Sequence, residues 1–378
     1  MDEKNGGFSS HFEQVADPRR EDRVLHPLVE ILFLIISGSI CGAESWRDFV
    51  MFGEEKLDFL RKYYPYENGI PSKNTLYRVM SAIEPEHFKS CFINWVRSLQ
   101  NHIQGVIAVD GKTLCNSFDS SGKNTKAIHM VSAFSAEARL VLAQQKVDEK
   151  SNEITAVPLL LDMLSLKGNT VTIDAMGCQK KIAKKIIDKE GDYVFSLKGN
   201  QGTLNEDVRL FLESEADKNN SELIVDRSVH SDKGHGRIET RTCYVSDKID
   251  WLEQKDKWAG LQSIAMIEEH QIKGGVESIE RRFFISSLPA DAELISKAVR
   301  AHWSVENNLH WTLDVVFNED NLRVRKDNAP ENMAIVRHIS LNMLNQARKD
   351  HKNASIKGLR KKAGWGESTL HSILAQNF

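Results

Sequence analysis

The sequence predicts an α/β fold: a mixed sheet with flanking helices, interrupted by a β-rich insertion and preceded by an all-helical N-terminal domain. Three observations predict it. Apolar residues recur at helix spacing from about residue 26 to residue 100. Short continuous apolar runs begin after Gly105, which is typical of buried strands. Between about residues 202 and 289 apolar and polar residues alternate, as in antiparallel strands.

The helical part, residues 1–103, contains the most apolar stretch of the chain at 31–36. Further along, Ser72 precedes a helical pattern and predicts an N-cap. Lys73, Asn74, Tyr77 and Arg78 of that helix face outward. A short helix, a loop and this capped helix are compatible with a DNA-reading helix-turn-helix. The same arrangement is common in purely structural helical domains, so both interpretations stay open.

The apolar pattern of residues 104–201 predicts the first part of the sheet. The predicted strands are 106–109, 127–134, 140–147, 170–173 and 193–197, and the predicted helices are 153–166 and 179–189. Three strands in succession followed by helix-linked strands give a mixed sheet, because right-handed crossovers connect its parallel strands.

The remainder divides into three parts. Residues 202–290 form the β-rich insertion, residues 291–348 complete the core, and residues 349–378 form a basic C-terminal tail. Within residues 291–348 we predict one long helix at 291–317 and another at 330–346. Trp303 and Trp311 of the long helix are predicted to be core residues, with base stacking as the open alternative.

Charge and cysteine usage narrow the class of protein. The 378 residues carry a net charge of −3, so the whole chain does not indicate a nucleic-acid partner. Between residues 321 and 365, however, eleven Lys and Arg stand against three Asp and Glu. This local excess can neutralise phosphates, although a solvated tail has the same composition.

Five scattered cysteines without a CxxC pair predict reduced thiols in a cytosolic protein. The apolar run at 31–36 is too short to span a membrane.

Three acidic residues form a candidate metal site. Asp110 ends the apolar run 106–109, Asp174 ends the run 171–173, and Glu306 lies on the long helix. Carboxylates ~4 Å apart repel each other by ~4 kcal/mol at an effective dielectric constant of ~20, so a cluster needs a cation or raised pKa values. Oxygen ligands favour Mg²⁺ or Mn²⁺, and two such ions suit phosphodiester chemistry. An Asp at a strand end, taken alone, is more often a turn or cap residue, and Glu306 alone is compatible with a helix surface.

Two histidines complicate this interpretation. His302, Glu306 and His310 follow one another at four-residue steps and share one helix face. That pattern raises a zinc alternative, but the HExxH spacing is absent and no Cys lies near. We favour phosphate contact or a supporting role for both histidines, with packing as the remaining alternative.

Several motifs together resemble one known family. They are IAVDGKTL at 107–114, SNEITAVP at 151–158, DAMGCQ at 174–179, LKGNQ at 197–201, KGHGR at 233–237, HWSVEN at 302–307 and LDVVF at 313–317. The chain resembles bacterial insertion-sequence transposases of the H-repeat-associated kind, members of the DDE group with a ribonuclease-H-like catalytic core. The resemblance covers the chain from near residue 10 to about residue 345.

The resemblance implies a function and a set of partners. Asp110, Asp174 and Glu306 would be the catalytic residues and the ligands of two Mg²⁺ ions, with Mn²⁺ as a substitute. The substrate would be double-stranded DNA, both element ends and target, bound by a homodimer in a bacterial cytoplasm, at the nucleoid. Hydrolysis at the element ends would precede strand transfer by the 3′-hydroxyl. A domesticated DNA-binding protein that no longer cuts and a general metal nuclease remain the alternatives.

The surroundings of Glu306 depart from the family pattern. Related proteins carry Tyr, Arg and Lys in the order Y-x2-R-x3-E-x6-K, whereas Val299, His302 and Leu313 occupy those places here. Other residues must therefore grip the DNA. The candidates are Lys112, Lys198, Asn200, Lys233, His235, Arg237, His302 and His310. The loop 198–201 suits phosphate contact because its glycine permits close backbone approach.

Overall fold

A nine-stranded mixed sheet forms the centre of the computed structural model, which describes residues 8–99, 104–118, 126–148, 151–218, 221–234, 237–351 and 353–376. Its strands are β1 Gly105–Leu114, β2 Ile128–Ser135, β3 Leu140–Lys146, β4 Asn169–Ile173, β5 Asp192–Leu197, β6 Asp226–Gly234, β7 Arg237–Ser246, β8 Ser263–Lys273 and β9 Val276–Ser286. They lie in the order β3-β2-β1-β4-β5-β9-β8-β7-β6. The mixed α/β fold class predicted from the sequence is confirmed.

The first five strands form the ribonuclease-H-like part of the sheet. β2 lies antiparallel to β1 and to β3, whereas β4 runs parallel to β1 and to β5. The crossover helices are α7 (Glu153–Asp162) and α8 (Lys180–Asp188). Ile182, Ala183 and Ile186 of α8 are buried, and its lysines lie on the other side. All five strands and both helices were predicted, but β1 continues five residues beyond its predicted end at Val109, so Asp110 lies within the strand and not at its end.

The insertion extends this sheet. β9 pairs antiparallel with β5 from Val194↔Ser286 to Leu197↔Phe283, and β8, β7 and β6 follow outward. Gly274 and Gly275 form a two-residue turn between β8 and β9 with φ values of +59° and +82°, which favour glycine. One helix of the insertion was not predicted, α9 (Thr203–Ala216), whose buried Leu204, Val208 and Leu212 repeat every four residues.

Helices from both ends of the chain form one helical unit. Its members are α1 Phe8–Phe12, α2 Leu28–Ile40, α3 Trp46–Glu55, α4 Leu57–Leu60, α5 Lys73–Ala82, α6 Pro85–Leu99, α11 Ala329–Ala347, α12 Ile356–Trp365 and α13 Glu367–Ala375. Nearly all of α2 is buried, and α3, α11, α12 and α13 pack around it. The predicted basic tail is therefore wrong: residues 356–375 are helices with buried Leu359, Leu370 and Ile373.

The predicted cap of α5 is confirmed, since Ser72 Oγ accepts a hydrogen bond from the Thr75 N–H at 3.2 Å. Lys73, Asn74 and Arg78 are exposed, as expected. Residues 61–72 separate α4 from α5, however, which is much longer than the turn of a helix-turn-helix. The described geometry thus gives that motif no support here.

Helix α11 joins the helical unit to the sheet. It packs on α2, α5 and α6 on one side and on β3 on the other. Asn342 accepts a hydrogen bond from the Val141 N–H and donates one to the Val141 carbonyl, both at 2.8 Å. These bonds satisfy backbone groups of β3 at the sheet edge.

Within the described part of the chain, no helix is long and apolar enough to cross a membrane. All five cysteines have free thiols.

A buried ionic network lies between α11 and β1. Glu319 accepts hydrogen bonds from Lys112 of β1 at 2.7 Å and from Arg337 of α11 at 3.0 Å. Burial alone would raise the pKa of Glu319, but Arg337 and Lys112 hold it below its usual value. Next to Arg337, full burial lowers the pKa of His338 to about 4.

His338 makes the stability of the protein depend on pH. Its pKa is lower in the folded chain than in the unfolded one, so its contribution is complete above about pH 6.5 and declines as the pH falls toward 4. We expect wild-type protein to lose about 2 to 3 kcal/mol more stability between pH 7 and pH 4.5 than a His338→Gln variant. Urea unfolding at both pH values measures this difference. Equal losses in both proteins would contradict it, and the exposed His371→Gln serves as the control.

Candidate metal centre

The pairing of β1 with β4 places two of the predicted acids side by side. The parallel register ends at Val109↔Ile173, so Asp110 and Asp174 are the next residues on neighbouring strands. Asp174 Oδ1 accepts hydrogen bonds from the Met176 and Gly177 N–H groups at 3.0 and 3.2 Å. The carboxylate of Asp174 is therefore held by the loop that follows β4.

Glu306 lies where a helix changes its geometry. Helix α10 (Ala292–Val305) packs on β1, β4 and β5, and two π-helical segments follow it, Glu306–His310 and Thr312–Val316. The predicted single helix at 291–317 is thus an α-helix continued by π turns. π turns are rare and recur at functional sites.

Asp110, Glu306 and His310 converge. His310 Nδ1 lies 3.5 Å from Asp110 Oδ2 and 3.5 Å from Glu306 Oε2. One ligand atom from each of the three residues lies within 4.8 Å of the other two. Asp174 lies outside this set but lines the same cavity of about 390 Å³ as Asp110 and Glu306.

The electrostatics of the cavity suit a cation. Burial raises the pKa of Asp110 to about 6, and neighbouring Asp174 adds to the rise. Among the described residues no Lys or Arg forms an ion pair with Asp110, Asp174 or Glu306. Asp110 and Asp174 are half-buried and have no Lys or Arg partner in the part of the chain that the structure describes, so oxygen donors of this kind fit a divalent metal ion.

His302 occupies a different place from His310. Its Nδ1 lies 3.1 Å from Thr172 Oγ1 on β4, and burial lowers its pKa. His302 lines the cavity but does not belong to the cluster of Asp110, Glu306 and His310. The four-residue spacing raised the alternative of a zinc site with both histidines, but His310 alone of the two lies in the cluster with Asp110 and Glu306.

The predicted DNA contacts have different surroundings. Lys198 is exposed and lines the cavity beside Asp174. Asn200 donates to the Ala175 carbonyl at 2.6 Å and so ties its loop to the one after β4. Lys233 is exposed at the end of β6. His235 lies outside the described residues, and for Arg237 the structure gives only its place at the start of β7.

Lys112 is held inside the protein. Its ammonium group forms ion pairs with Asp314, Glu319 and Asp320, and its side chain is mostly buried. All three acids follow the π-helical turn that carries His310. Lys112 thereby connects the strand of Asp110 to the segment that carries Glu306. A DNA contact by Lys112 stays a prediction, and this placement does not favour it.

Sequence reasoning missed several residues around the cavity. Arg282 of β9 lies over the Trp303 ring with its guanidinium carbon 4.8 Å from the ring centre. Trp303 and Trp311 are 51% and 53% exposed, so their prediction as core residues is wrong. Glu153 of α7 lies directly over β1 at Gly111: a Cβ atom added to this glycine would lie 2.1 Å from Glu153 Oε1. A helical wheel based on Leu309 and Val305 would have shown both tryptophans facing outward.

Beyond Trp303 a larger cavity of about 810 Å³ is lined by residues of α10 and of the inserted strands. Its basic residues include Arg241, Arg282, Lys297 and Arg300. Three of these already pair with acids, since Arg300 contacts Asp232, and Arg241 and Arg282 contact nearby glutamates. This groove is thus open and mixed in charge.

Known proteins match this chain along nearly its whole length. A family model described as "Transposase DDE domain" matches residues 101–343, and one described as "DDE_Tnp_1-associated" matches residues 9–96. Putative protein YbfL and H repeat-associated putative transposase YhhI of Escherichia coli K12 are 44% and 43% identical, each alignment covering 97% of both chains. Putative transposase YncI of Escherichia coli O157:H7 is 41% identical over 96% of this chain and 92% of its own length.

Replacing Lys112 tests its role. Lys112→Met leaves the carboxylates of Asp314 and Glu319 without their shared cation, and we expect a loss of about 3 to 5 kcal/mol in unfolding free energy. Glu319 keeps Arg337, whereas Asp314 loses its printed partner, so the double variant Lys112→Met/Asp314→Asn should recover part of that loss, which chemical denaturation measures. If Lys112→Met were as stable as wild type and bound DNA less well, Lys112 would instead be a DNA contact.

Proposed function

The chain belongs to the family of transposases with a DDE domain, and from that premise we propose that it cuts and joins DNA at the ends of an insertion sequence with the help of divalent metal ions. The observation that supports this most directly is the end of the β1–β4 register, which sets Asp110 beside Asp174. Glu306 reaches the same cavity from α10. Mg²⁺ is the proposed natural ion, with Mn²⁺ as a substitute and two ions per site.

The proposed chemistry has two steps. In the first, a water oxygen bonds to phosphorus at the element end while the bond from phosphorus to the 3′-oxygen breaks, leaving a 3′-hydroxyl. In the second, the oxygen of that hydroxyl bonds to a target phosphorus and displaces a target 3′-oxygen, which takes up a proton. Divalent cations at the three acids would activate the attacking oxygen and stabilise the leaving one.

The acidic and the basic residues have different proposed roles in this chemistry. Asp110, Asp174 and Glu306 would hold the cations; Asp110 is half-buried, and Glu306 is largely exposed to solvent. Lys198, exposed beside the cavity, contacts the phosphate backbone. Lys233, Asn200, His302 and the other candidates remain proposed DNA contacts of lesser support. Because two ends must be joined, the proposal includes a homodimer that acts on the bacterial nucleoid.

A second candidate is a domesticated protein that binds DNA without cutting it. One shorter relative, covering 19% of this chain at 46% identity, is named Inactive transposase YbfQ. Here Asp110, Asp174 and Glu306 are all present and share one cavity, which favours an intact site. A general nuclease would cut DNA but would yield no joined products.

Neutralising Glu306 tests the catalytic proposal. Glu306→Gln keeps the size of the side chain but removes a charged ligand, so Mg²⁺-dependent cleavage of element-end oligonucleotides should fall by a factor on the order of 10³. Binding of the same DNA, followed by gel shift, should change little. Glu293→Gln, an exposed acid on the same helix, is the matched control.

The outcomes of this assay separate the candidates. Cleavage at the normal rate by Glu306→Gln contradicts the assignment of Glu306. Binding by wild type without cleavage in Mg²⁺ or Mn²⁺ favours the domesticated protein. Cleavage without joined products favours the general nuclease.

Lys198 offers a test of the DNA path. If its ammonium group neutralises one phosphate, Lys198→Ala should weaken binding to all sequences alike and lower the salt slope by about 1. Fluorescence anisotropy at several salt concentrations measures that slope. The exposed Lys167→Ala, whose lysine pairs with Glu190 away from the cavity, should leave the slope unchanged, and an unchanged slope for Lys198→Ala would remove Lys198 from the proposed path.

A further inference from the structure

His310 is a buried side chain directed at the acids. It is 6% exposed, and its Nδ1 is equally far, 3.5 Å, from the carboxylates of Asp110 and Glu306. Glu306 and His310 begin and end one π-helical segment, in which the Trp311 N–H donates to the Glu306 carbonyl. The helix backbone therefore fixes the imidazole relative to one acid, while β1 supplies the other.

The hydrogen bonds of the described residues leave the His310 ring unsatisfied. A separation of 3.5 Å is longer than a normal N–H···O bond, so Nδ1 makes no proper bond to either carboxylate. Nε2 is buried and has no hydrogen-bond partner among the described residues. A neutral ring with its proton on Nε2 directs the Nδ1 lone pair toward two acids. A cation between the three groups would accept that lone pair and neutralise the acids, while Nε2 would still have no partner among the described residues.

Resting on the proposed function, we propose that His310 is a protein ligand of the metal ion held by Asp110 and Glu306. This makes the site a mixed oxygen and nitrogen site. Imidazole suits first-row transition metals, whereas Mg²⁺ prefers oxygen ligands, so the site should prefer Mn²⁺ to Mg²⁺. Asp174, which lies outside this set of three, is then available to the second ion.

The cluster contains further evidence for a single nitrogen ligand. Among the described residues His302 is the histidine that lines the cavity, whereas His310 is not a lining residue; the Nδ1 of His302 is engaged with Thr172 at 3.1 Å. The ligand set is therefore Asp110, Glu306 and His310, and His302 serves as a matched comparison. Both histidines lie on the same chain segment, four residues to either side of Glu306.

The experiment uses the full-length protein, stripped of metal and titrated with Mn²⁺. Pulsed electron paramagnetic resonance should detect hyperfine coupling between bound Mn²⁺ and a nitrogen nucleus in wild type. The coupling should vanish in His310→Asn and persist in His302→Asn. Mn²⁺ affinity, followed by calorimetry, should fall about tenfold or more in His310→Asn, with a much smaller change for Mg²⁺.

Further variants keep the two proposals distinguishable. His310→Asp restores a ligand without nitrogen, so it should bind Mn²⁺ without the coupling, and circular dichroism verifies that each variant is folded. Mn²⁺ that binds through Asp110 but shows no nitrogen coupling in wild type, or coupling that survives in His310→Asn, overturns the role of His310 alone. Mn²⁺ binding that ignores both Asp110→Asn and Glu306→Gln overturns the metal site itself and the proposed function with it.

Discussion

The carboxylate of Glu319 holds together the parts of the chain that build the cavity. Lys112 of β1 contacts it from one side and Arg337 of α11 from the other. A buried carboxylate is costly unless it is paired, and here two cations pair it. Because Lys112 is two residues from Asp110, the same short piece of β1 carries a metal-binding candidate and the anchor for the turn after Glu306. Precise placement of the acids relative to one another depends on this anchor.

The inserted strands also help to build the cavity. β9 pairs with β5, and its residues Arg282 and Phe284 form one wall of the cavity. The long separation in sequence between Asp174 and Glu306 thus has a structural reason. The intervening segment leaves the sheet at β5, rejoins it at the far edge as β6, and continues through β7 and β8 to β9 beside β5. It then delivers α10 across β1, β4 and β5.

The sequence predicted the features whose signal is local. Apolar runs before Asp110 and Asp174 indicated buried strands, and adjacent parallel strands bring their ends together. Spacing alone did not separate His302 from His310, because both lie four residues from Glu306 and only the π turn decides which one faces the acids. Helices α12 and α13 were missed because the basic run Arg360–Lys362 interrupts the apolar pattern that Leu359 and Leu370 belong to. The tryptophans were misplaced because size and apolarity outweighed helix phase.

The docking of α12 and α13 on α2 has a consequence for synthesis of the protein. Lys62 pairs with Glu367, and Arg360 donates to the Ser39 carbonyl, so the first helices and the last ones need each other. A chain emerging from the ribosome presents α2 long before its covering helices exist. Glu306 also arrives late, after both aspartates are in place. During synthesis the growing polypeptide therefore exposes the nearly all-apolar helix α2 and lacks one of the three acids. The third acid and the helices that cover α2 are both added in the last part of translation.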